Sequence, residues 1–228
     1  MAGRIALIGG NEFRENCVPM DQALLAWLGG KPRVVIIPTA AAQENPVLAG
    51  ENGVRYFTSL GARAEAAMVI DVETAREPGR VALIQKADLV YFTGGNPSFL
   101  LETIRGSAAW EAAWEVYQNG RMLAGSSAGA MILGGMMWAP GEGWQEGLGI
   151  LPQIAVIPHH ASLSIHWNVR NMRASLPQSI TLLGIDEATA LAGPPWQVLG
   201  AGEVALYHAA QLSIYTRGQE VPLKTAEP

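Results

Sequence analysis

A serine held between two glycines is the clearest chemical signal in this sequence. Residues 125–129 read Gly-Ser-Ser-Ala-Gly and lie between a short apolar run and a segment of helical spacing. A serine on such a tight strand-to-helix turn needs small residues two positions before and after it. Ser127 has glycine at both positions and Ser126 has alanine at both, so we predict Ser127 as a nucleophile, with the amide of Ala128 free to donate to an oxyanion. The alternative is a tightly packed or phosphate-binding turn without catalysis.

A serine nucleophile needs a neighbouring base, normally a histidine that a third group orients. The histidines stand at positions 159, 160, 166 and 208. His159 and His160 follow the apolar run Ala155–Ile157 and a proline, which places them at the end of a predicted strand, near the expected position of Ser127. One of these two is therefore the predicted base. The alternative is that both are ordinary loop histidines.

The third member of the triad should be an acid, and only Glu142 and Glu146 lie between the serine and His159. Glu142 occupies the rigid turn Ala139–Gly143, and we expect it to be the acid of the triad. Glu146 is the second choice, and Asp186 or Glu187 at the end of the next strand are further alternatives.

An oxyanion hole needs a second backbone donor, and the segment Val90–Pro97 offers one. It ends a predicted strand in Gly94-Gly95-Asn96, and glycines let the main chain approach a substrate closely. We predict the Gly95 amide as this donor. An ordinary strand-to-helix connection with proline at the helix start is the alternative.

Two arginines, Arg170 and Arg173, lie three residues apart after the histidines. On a helix they could share one face, and a guanidinium there could hold a substrate carboxylate through two hydrogen bonds. A solvated helix face is the alternative reading.

Short apolar runs that end in Gly, Pro or Asn alternate with longer segments of helical spacing, as is typical of buried parallel strands and crossover helices. The predicted strands are Ile5–Ile8, Val34–Ile37, Ala67–Ile70, Leu89–Phe92, Met122–Ala124, Ala155–Ile157 and Leu182–Ile185. The predicted helices are Met20–Leu28, Asn52–Leu60, Pro97–Arg105, Ala108–Asn119 and Ala128–Met137. The pattern predicts an α/β fold: a doubly wound, mostly parallel sheet with helices on both faces.

The last part of the chain changes to short β-like runs, Val198–Leu199, Val204–Tyr207 and Leu212–Tyr215. These predict antiparallel edge strands that form a C-terminal antiparallel β extension. No linker or repeat marks a boundary, so residues 1–228 are expected to form a single α/β domain. Chemistry in such a fold is expected at the carboxyl ends of the parallel strands.

Composition excludes several classes of protein. The net charge of −5 and the scattered basic residues provide no basic stripe, so nucleic acid is not an expected partner. The single cysteine, Cys17, cannot form an internal disulfide, which favours a cytoplasmic location, and no Cys/His zinc pattern is present in the sequence. No stretch approaches the roughly 20 apolar residues of a membrane helix, so we expect no membrane association.

Taken together, these motifs resemble the serine peptidase family that contains dipeptidase E (aspartyl dipeptidase) and cyanophycinase, on the class I glutamine amidotransferase-like fold. The resemblance covers most of the chain. The matching segments are Phe92–Asn96 with Leu100-Leu101, Gly125–Ala130, Leu148–Pro152, Ile157–His159 and Gly184–Leu191.

The resemblance implies a role for several residues. It places the base at His159, with His160 where the family has an aromatic residue, and the acid at Glu142. It also implies Gly95 and Ala128 as the oxyanion hole, with Asn96 and Arg170 as substrate-binding residues.

The implied activity is hydrolysis of short peptides after an N-terminal aspartate, or of a β-aspartyl linkage, without a metal or organic cofactor. A non-catalytic amidotransferase-like binding protein is the alternative. An α/β-hydrolase esterase fits poorly because few residues separate Ser127 from His159, and a glutaminase would carry cysteine in place of Ser127. A homodimer is compatible with the sequence.

Overall fold

The structure, a computed structural model, describes residues 2–164, 168–209 and 211–223. His166, one of the four histidines considered above, lies outside these ranges. The strands are β1 (Arg4–Ile8), β2 (Arg33–Ile37), β3 (Arg63–Ala66), β4 (Leu89–Phe92), β5 (Met122–Ser126), β6 (Gly134–Ala139), β7 (Gly143–Glu146), β8 (Leu151–Ile157), β9 (Thr181–Ile185), β10 (Thr189–Gly193), β11 (Gln197–Gly200), β12 (Val204–His208) and β13 (Gln211–Tyr215). The α-helices are α1 (Val18–Leu28), α2 (Pro46–Ser59), α3 (Pro78–Gln85), α4 (Pro97–Ile104), α5 (Ala108–Gln118), α6 (Ala128–Ile132), α7 (His160–Leu163) and α8 (Val169–Ala174).

Seven strands form the first sheet, in the order β11-β10-β1-β5-β4-β2-β3. The five strands from β1 to β3 in this order are parallel, whereas β10 and β11 are antiparallel to their neighbours. The carboxyl ends of β1, β4 and β5 therefore lie side by side at one edge of the sheet.

The second sheet has six strands in the order β13-β12-β9-β8-β6-β7. Its centre, β6-β8-β9, is parallel, and β7, β12 and β13 pair antiparallel. Strand β8 ends two residues before His159, and β9 ends directly before Asp186 and Glu187.

Alternating side chains of the first sheet enter two separate cores, because successive residues of a strand point to opposite faces. Ile8 and Tyr91 pack with α1 and α2 on one face. Leu7 and Phe92 face a larger core that also contains residues of α4, α5 and the second sheet. This larger core joins the two sheets and fixes their strand ends relative to one another.

The predicted α/β class is confirmed, but the prediction of one sheet is wrong. Ala155–Ile157 and Leu182–Ile185 are strands of the second sheet, and the strand predicted at Ala67–Ile70 lies at Arg63–Ala66 instead. The apolar pattern shows that a segment is buried between layers but does not show which sheet it joins.

The helix predicted to run to Met137 ends at Ile132, and β6 begins at Gly134. The pair Gly134-Gly135 explains this change. A Cβ on Gly135 would lie 2.1 Å from the Pro152 carbonyl oxygen, so glycine is required for β8 to pack this close.

Among the described residues, no helix combines the length and the apolar character that crossing a bilayer demands.

Candidate active site

Ser127 occupies the turn between β5 and α6 in a strained backbone conformation, with φ 49° and ψ −111°. The turn is tight: a Cβ on Gly125 would lie 2.3 Å from the carbonyl carbon of Gly129, and one on Gly129 would lie 2.4 Å from the Phe92 carbonyl oxygen. Larger residues at these two positions would push the helix away from the strand. Ser127 is partly exposed, whereas Ser126 is fully buried. Of these two hydroxyls, only that of Ser127 is therefore accessible to a substrate.

The imidazole of His159 contacts Ser127. Its Nε2 lies 3.2 Å from the serine Oγ, within the range for proton transfer. His159 has a left-handed backbone (φ 49°, ψ 38°), and its ring packs on Gly10, where a Cβ would lie 2.2 Å from the ring Cε1. The ring position thus depends on a residue without a side chain at the end of β1.

Glu187 contacts the other nitrogen of this imidazole. Its Oε1 lies 3.3 Å from His159 Nδ1 and also accepts a hydrogen bond of 2.6 Å from the Ser162 hydroxyl. Burial by itself raises the pKa of Glu187, but the Ser162 hydrogen bond and the nearby His159 outweigh it and lower this pKa below its ordinary value. Glu187 is therefore ionised at neutral pH, as a group that orients and stabilises an imidazolium must be.

The expectation that Glu142 supplies this carboxylate is corrected. Residues 134–146 form the β6-β7 hairpin, and Glu142 is exposed at its turn, where it accepts a hydrogen bond from the Gln145 side chain. Glu146 is exposed as well. The acid in contact with His159 instead lies just after β9, the next strand in the chain after the histidine.

His160 faces a different acid. Its Nδ1 lies 3.4 Å from Asp186 Oδ1 and its Nε2 lies 2.9 Å from the Tyr207 hydroxyl. Burial raises the pKa of Asp186, yet hydrogen bonds from His160 and from the Glu203 amide lower it overall. The two adjacent histidines thus have separate acidic partners, and His159 is the one that contacts the serine.

Two backbone amides beside Ser127 donate to no group within the described part of the chain, those of Gly95 and Ala128. Their neighbours are bound: the Gly94 amide donates to Glu12 and the Asn96 amide donates to the Ala40 carbonyl, each at 2.8 Å. Gly95 has φ 136°, and a Cβ there would lie 2.2 Å from the Ala40 carbonyl oxygen. This geometry leaves two amides available for an oxyanion.

The structure gives Asn96 two internal hydrogen bonds. Its Oδ1 accepts the Phe99 amide at 3.1 Å and so caps α4, and its side-chain NH₂ donates to Gln43 at 2.9 Å. These bonds fix the turn that carries Gly95.

The two arginines of the sequence analysis differ. Arg173 is buried in the fold, and its guanidinium donates to the carbonyl groups of residues 176, 177 and 178. Arg170 is exposed on α8, close enough to Tyr207 for its charge to oppose the rise that burial causes in the tyrosine pKa. Of the two guanidinium groups, only that of Arg170 is accessible from outside the fold.

The end of β1 holds all three segments of the site together, which the sequence analysis did not foresee. The carbonyls of residues 8, 9 and 10 accept hydrogen bonds from the amides of Ser127 (2.9 Å), His159 (2.7 Å) and Ala188 (3.0 Å). The feature of the sequence that indicates this role is the pair Gly9-Gly10 directly after an apolar strand. Within the described residues, no cluster of three or more His, Cys, Asp or Glu side chains could hold a metal ion.

Comparison with known proteins gives consistent matches. A protein from an acI-B1 actinobacterium, whose crystal structure is that of a peptidase, is 30% identical, with a TM-score of 0.88 over 97% of both chains. A cyanophycinase of Trichormus variabilis is 26% identical over 92% of this chain and 74% of its own length. A Listeria monocytogenes protein assigned to Peptidase E is 18% identical with a TM-score of 0.63 over 94% of this chain and 98% of its own, a likeness of fold alone.

The model of peptidase family S51 matches residues 5–193, which include most of β1, the nucleophile turn, His159 and Glu187. The chain therefore belongs to peptidase family S51, the serine peptidase family of dipeptidase E and cyanophycinase.

Proposed function

We propose that this peptidase cleaves the amide bond that follows an aspartyl residue, through Ser127, His159 and Glu187 and a covalent acyl-enzyme. The observation that carries the proposal is the continuous contact from Ser127 Oγ to His159 Nε2 (3.2 Å) and from His159 Nδ1 to Glu187 Oε1 (3.3 Å). A nucleophile, a base and a group that orients the base form the catalytic triad of a serine hydrolase.

The geometry supports the following steps. Ser127 Oγ attacks the carbonyl carbon while His159 Nε2 takes the hydroxyl proton, and Glu187 stabilises the resulting imidazolium. The amides of Gly95 and Ala128 donate to the oxyanion. As the tetrahedral species collapses, the C–N bond breaks and His159 gives its proton to the leaving amine. Water, activated by the same imidazole, then hydrolyses the ester and restores the serine.

The aspartyl preference is supported by Arg170, which is exposed on α8 beyond the histidines. A guanidinium there can pair with the carboxylate of a substrate aspartyl group. The favoured substrate is a short peptide with an N-terminal aspartate, as for dipeptidase E. The second candidate is a β-aspartyl linkage, and the match to cyanophycinase over 92% of this chain favours it.

We also propose a single domain with a class I glutamine amidotransferase-like arrangement and an antiparallel C-terminal extension. The larger core shared by both sheets, the parallel strands β1 to β5 and the antiparallel pair β12-β13 support this assignment.

The experiment is a panel of dipeptides that begin with α-linked Asp, Glu, Asn or β-linked Asp, assayed with the wild type and with Ser127→Ala. We expect cleavage of one of the two aspartyl linkages at least tenfold faster than the Glu and Asn peptides, and no measurable turnover by Ser127→Ala. Cleavage of the α-linked Asp peptide alone supports the first candidate, and of the β-linked peptide alone the second.

Labelling with a fluorophosphonate separates an enzyme from a binding protein. An adduct on Ser127 of the folded wild type supports the mechanism. Folded protein that forms no adduct and cleaves none of the peptides would overturn it and favour a non-catalytic binding protein.

A further inference from the structure

A carboxylate that the triad does not use borders the nucleophile. Glu12 lies in the segment after β1, and its Oε1 accepts the Gly94 amide at 2.8 Å. Its Oε2 accepts the Ser126 hydroxyl, also at 2.8 Å. A Cβ on Gly94 would lie 3.1 Å from Glu12 Oε1 and 3.2 Å from Ser127 Cβ. The carboxylate and the nucleophile therefore both pack against Gly94.

The two groups that Glu12 holds belong to the two segments that carry the free amides. Gly94 directly precedes Gly95, and Ser126 comes two residues before Ala128. The Gly94 amide is bound by Glu12 and the Asn96 amide by the Ala40 carbonyl, both at 2.8 Å. The peptide that carries the Gly95 N–H is thus held from both sides.

Holding this turn matters because two successive glycines have wide conformational freedom and would otherwise sample several orientations. An oxyanion hole is effective only if its donors are already aimed at the developing charge. Hydrogen bonds to a carboxylate are roughly twice as strong as those between neutral groups, which suits Glu12 to this task.

We propose that Glu12 is a positioning residue for the oxyanion hole, where its carboxylate bridges the Gly94 amide and the Ser126 hydroxyl and so fixes the Gly95 and Ala128 amides relative to each other. This inference rests on the proposed function, because it assigns a role within the same hydrolytic site.

Three variants separate this role from others. In Glu12→Ala both bonds are lost. In Glu12→Gln the side-chain oxygen can still accept the Gly94 amide, and the NH₂ can donate to Ser126 Oγ, so the bridge is kept without its charge. Ser126→Ala removes one arm of the bridge. The matched control is Glu15→Gln, which changes an exposed carboxylate three residues away in the same segment.

We expect kcat of Glu12→Ala to fall about 100-fold or more, as when one oxyanion donor is lost, with KM changed less than about threefold. Glu12→Gln should recover most of this loss, and Glu15→Gln should match the wild type. Because Glu12 and Ser126 act through one bridge, the double variant Glu12→Ala/Ser126→Ala should be no slower than Glu12→Ala alone.

The decisive readout is inhibitor binding. An aldehyde analogue of the best substrate forms a hemiacetal with Ser127 that places an oxygen in the oxyanion hole, whereas the corresponding alcohol does not. The aldehyde affinity should fall in proportion to kcat/KM in Glu12→Ala, and the alcohol affinity should not change.

Unchanged kcat, a loss confined to KM, or an unchanged aldehyde affinity in folded Glu12→Ala would overturn the inference. If Glu12→Ala does not fold, the same comparison in Ser126→Ala decides it: the aldehyde affinity and kcat must fall together there. Failure of the proposed function is distinguishable, because the wild type itself would then neither cleave peptides nor react with the fluorophosphonate.

Discussion

Glu187 and Glu142 are the same type of side chain in opposite surroundings. Glu187 is partly buried and bonded to Ser162 and His159, and these contacts lower its pKa. Glu142 lies exposed at a hairpin turn, and among the described residues its carboxylate accepts a hydrogen bond only from the Gln145 side chain. The loss of charge at these two positions should therefore have very different effects on catalysis.

We expect Glu187→Gln to reduce kcat by about 10²–10⁴-fold, because the amide neither stabilises the imidazolium nor fixes the required tautomer. Glu142→Gln is the matched control and should retain turnover within about twofold, since surface substitutions away from the site are nearly neutral. Steady-state kinetics with thermal melts of both variants provide the check. A larger loss in Glu142→Gln than in Glu187→Gln would return the acid role to the hairpin.

The nucleophile and the pair of candidate bases could be predicted from sequence because each has a local signature. Ser127 has its flanking glycines, and His159 has its place after a buried strand. The acid has no such signature, since any carboxylate at a neighbouring strand end satisfies the chemistry. Only the topology, which sets β9 beside β8, identifies Glu187.

At the scale of elements, the site is made by strand ends and by the glycines that let them approach. Strand β1 ends in Gly9-Gly10, and the His159 ring occupies the space that a Gly10 side chain would fill. The local patterns predicted β1, β4 and β5 well because they are continuous apolar runs. They failed after Ile132, where a helix of five residues gives way to β6 because the glycine pair packs against β8.

Gly10→Ala tests this dependence on a strand end. The new methyl group would lie 2.2 Å from His159 Cε1, at a backbone φ of 122° that an alanine rarely adopts. We expect kcat to fall at least about tenfold as the ring shifts, with a loss of about 1–3 kcal/mol of stability from backbone strain.

The control is Gly79→Ala in α3, where a Cβ would meet no atom within 4 Å. It should keep full activity. Its free energy of unfolding should rise by about a few tenths of a kcal/mol, because alanine favours the helical conformation more than glycine does. Kinetics and urea unfolding measure both effects, and wild-type turnover in Gly10→Ala would show that the imidazole does not depend on Gly10.

At the scale of the whole molecule, a buried acid makes stability depend on pH. Asp21 of α1 is fully buried, and only one of its oxygens has a partner among the described residues, the Tyr56 hydroxyl at 2.8 Å. Burial raises its pKa to about 7, against 3.8 for an exposed aspartate. The folded protein therefore keeps a proton that the unfolded chain releases, so this group's contribution to stability is full below pH 3.8 and is lost as pH rises to about 7.

Asp21→Asn should consequently stabilise the protein at pH 8, and its advantage over the wild type should shrink between about pH 7 and pH 4. Asp71 offers a control of opposite sign, because hydrogen bonds from Thr74 lower its pKa. Asp71→Asn should lower the free energy of unfolding at neutral pH, and this difference from the wild type should vanish in acid. Thermal melts across this pH range measure both, and a pH-independent difference for Asp21→Asn would contradict the assigned cause.

The position of β1 has a consequence for how the protein is made. β1 lies between β5 and β10, and the carbonyls at its end set the relative places of the serine, the histidine and the segment after the glutamate. On the ribosome β1 emerges long before either neighbour, and β10 follows even Glu187. A growing chain can therefore not complete this arrangement until Glu187, which contacts His159, and Ala188, which bonds to Gly10, have left the exit tunnel. Since Ser127, His159 and Glu187 follow one another along the chain, the site is complete only after most of the chain has been synthesised.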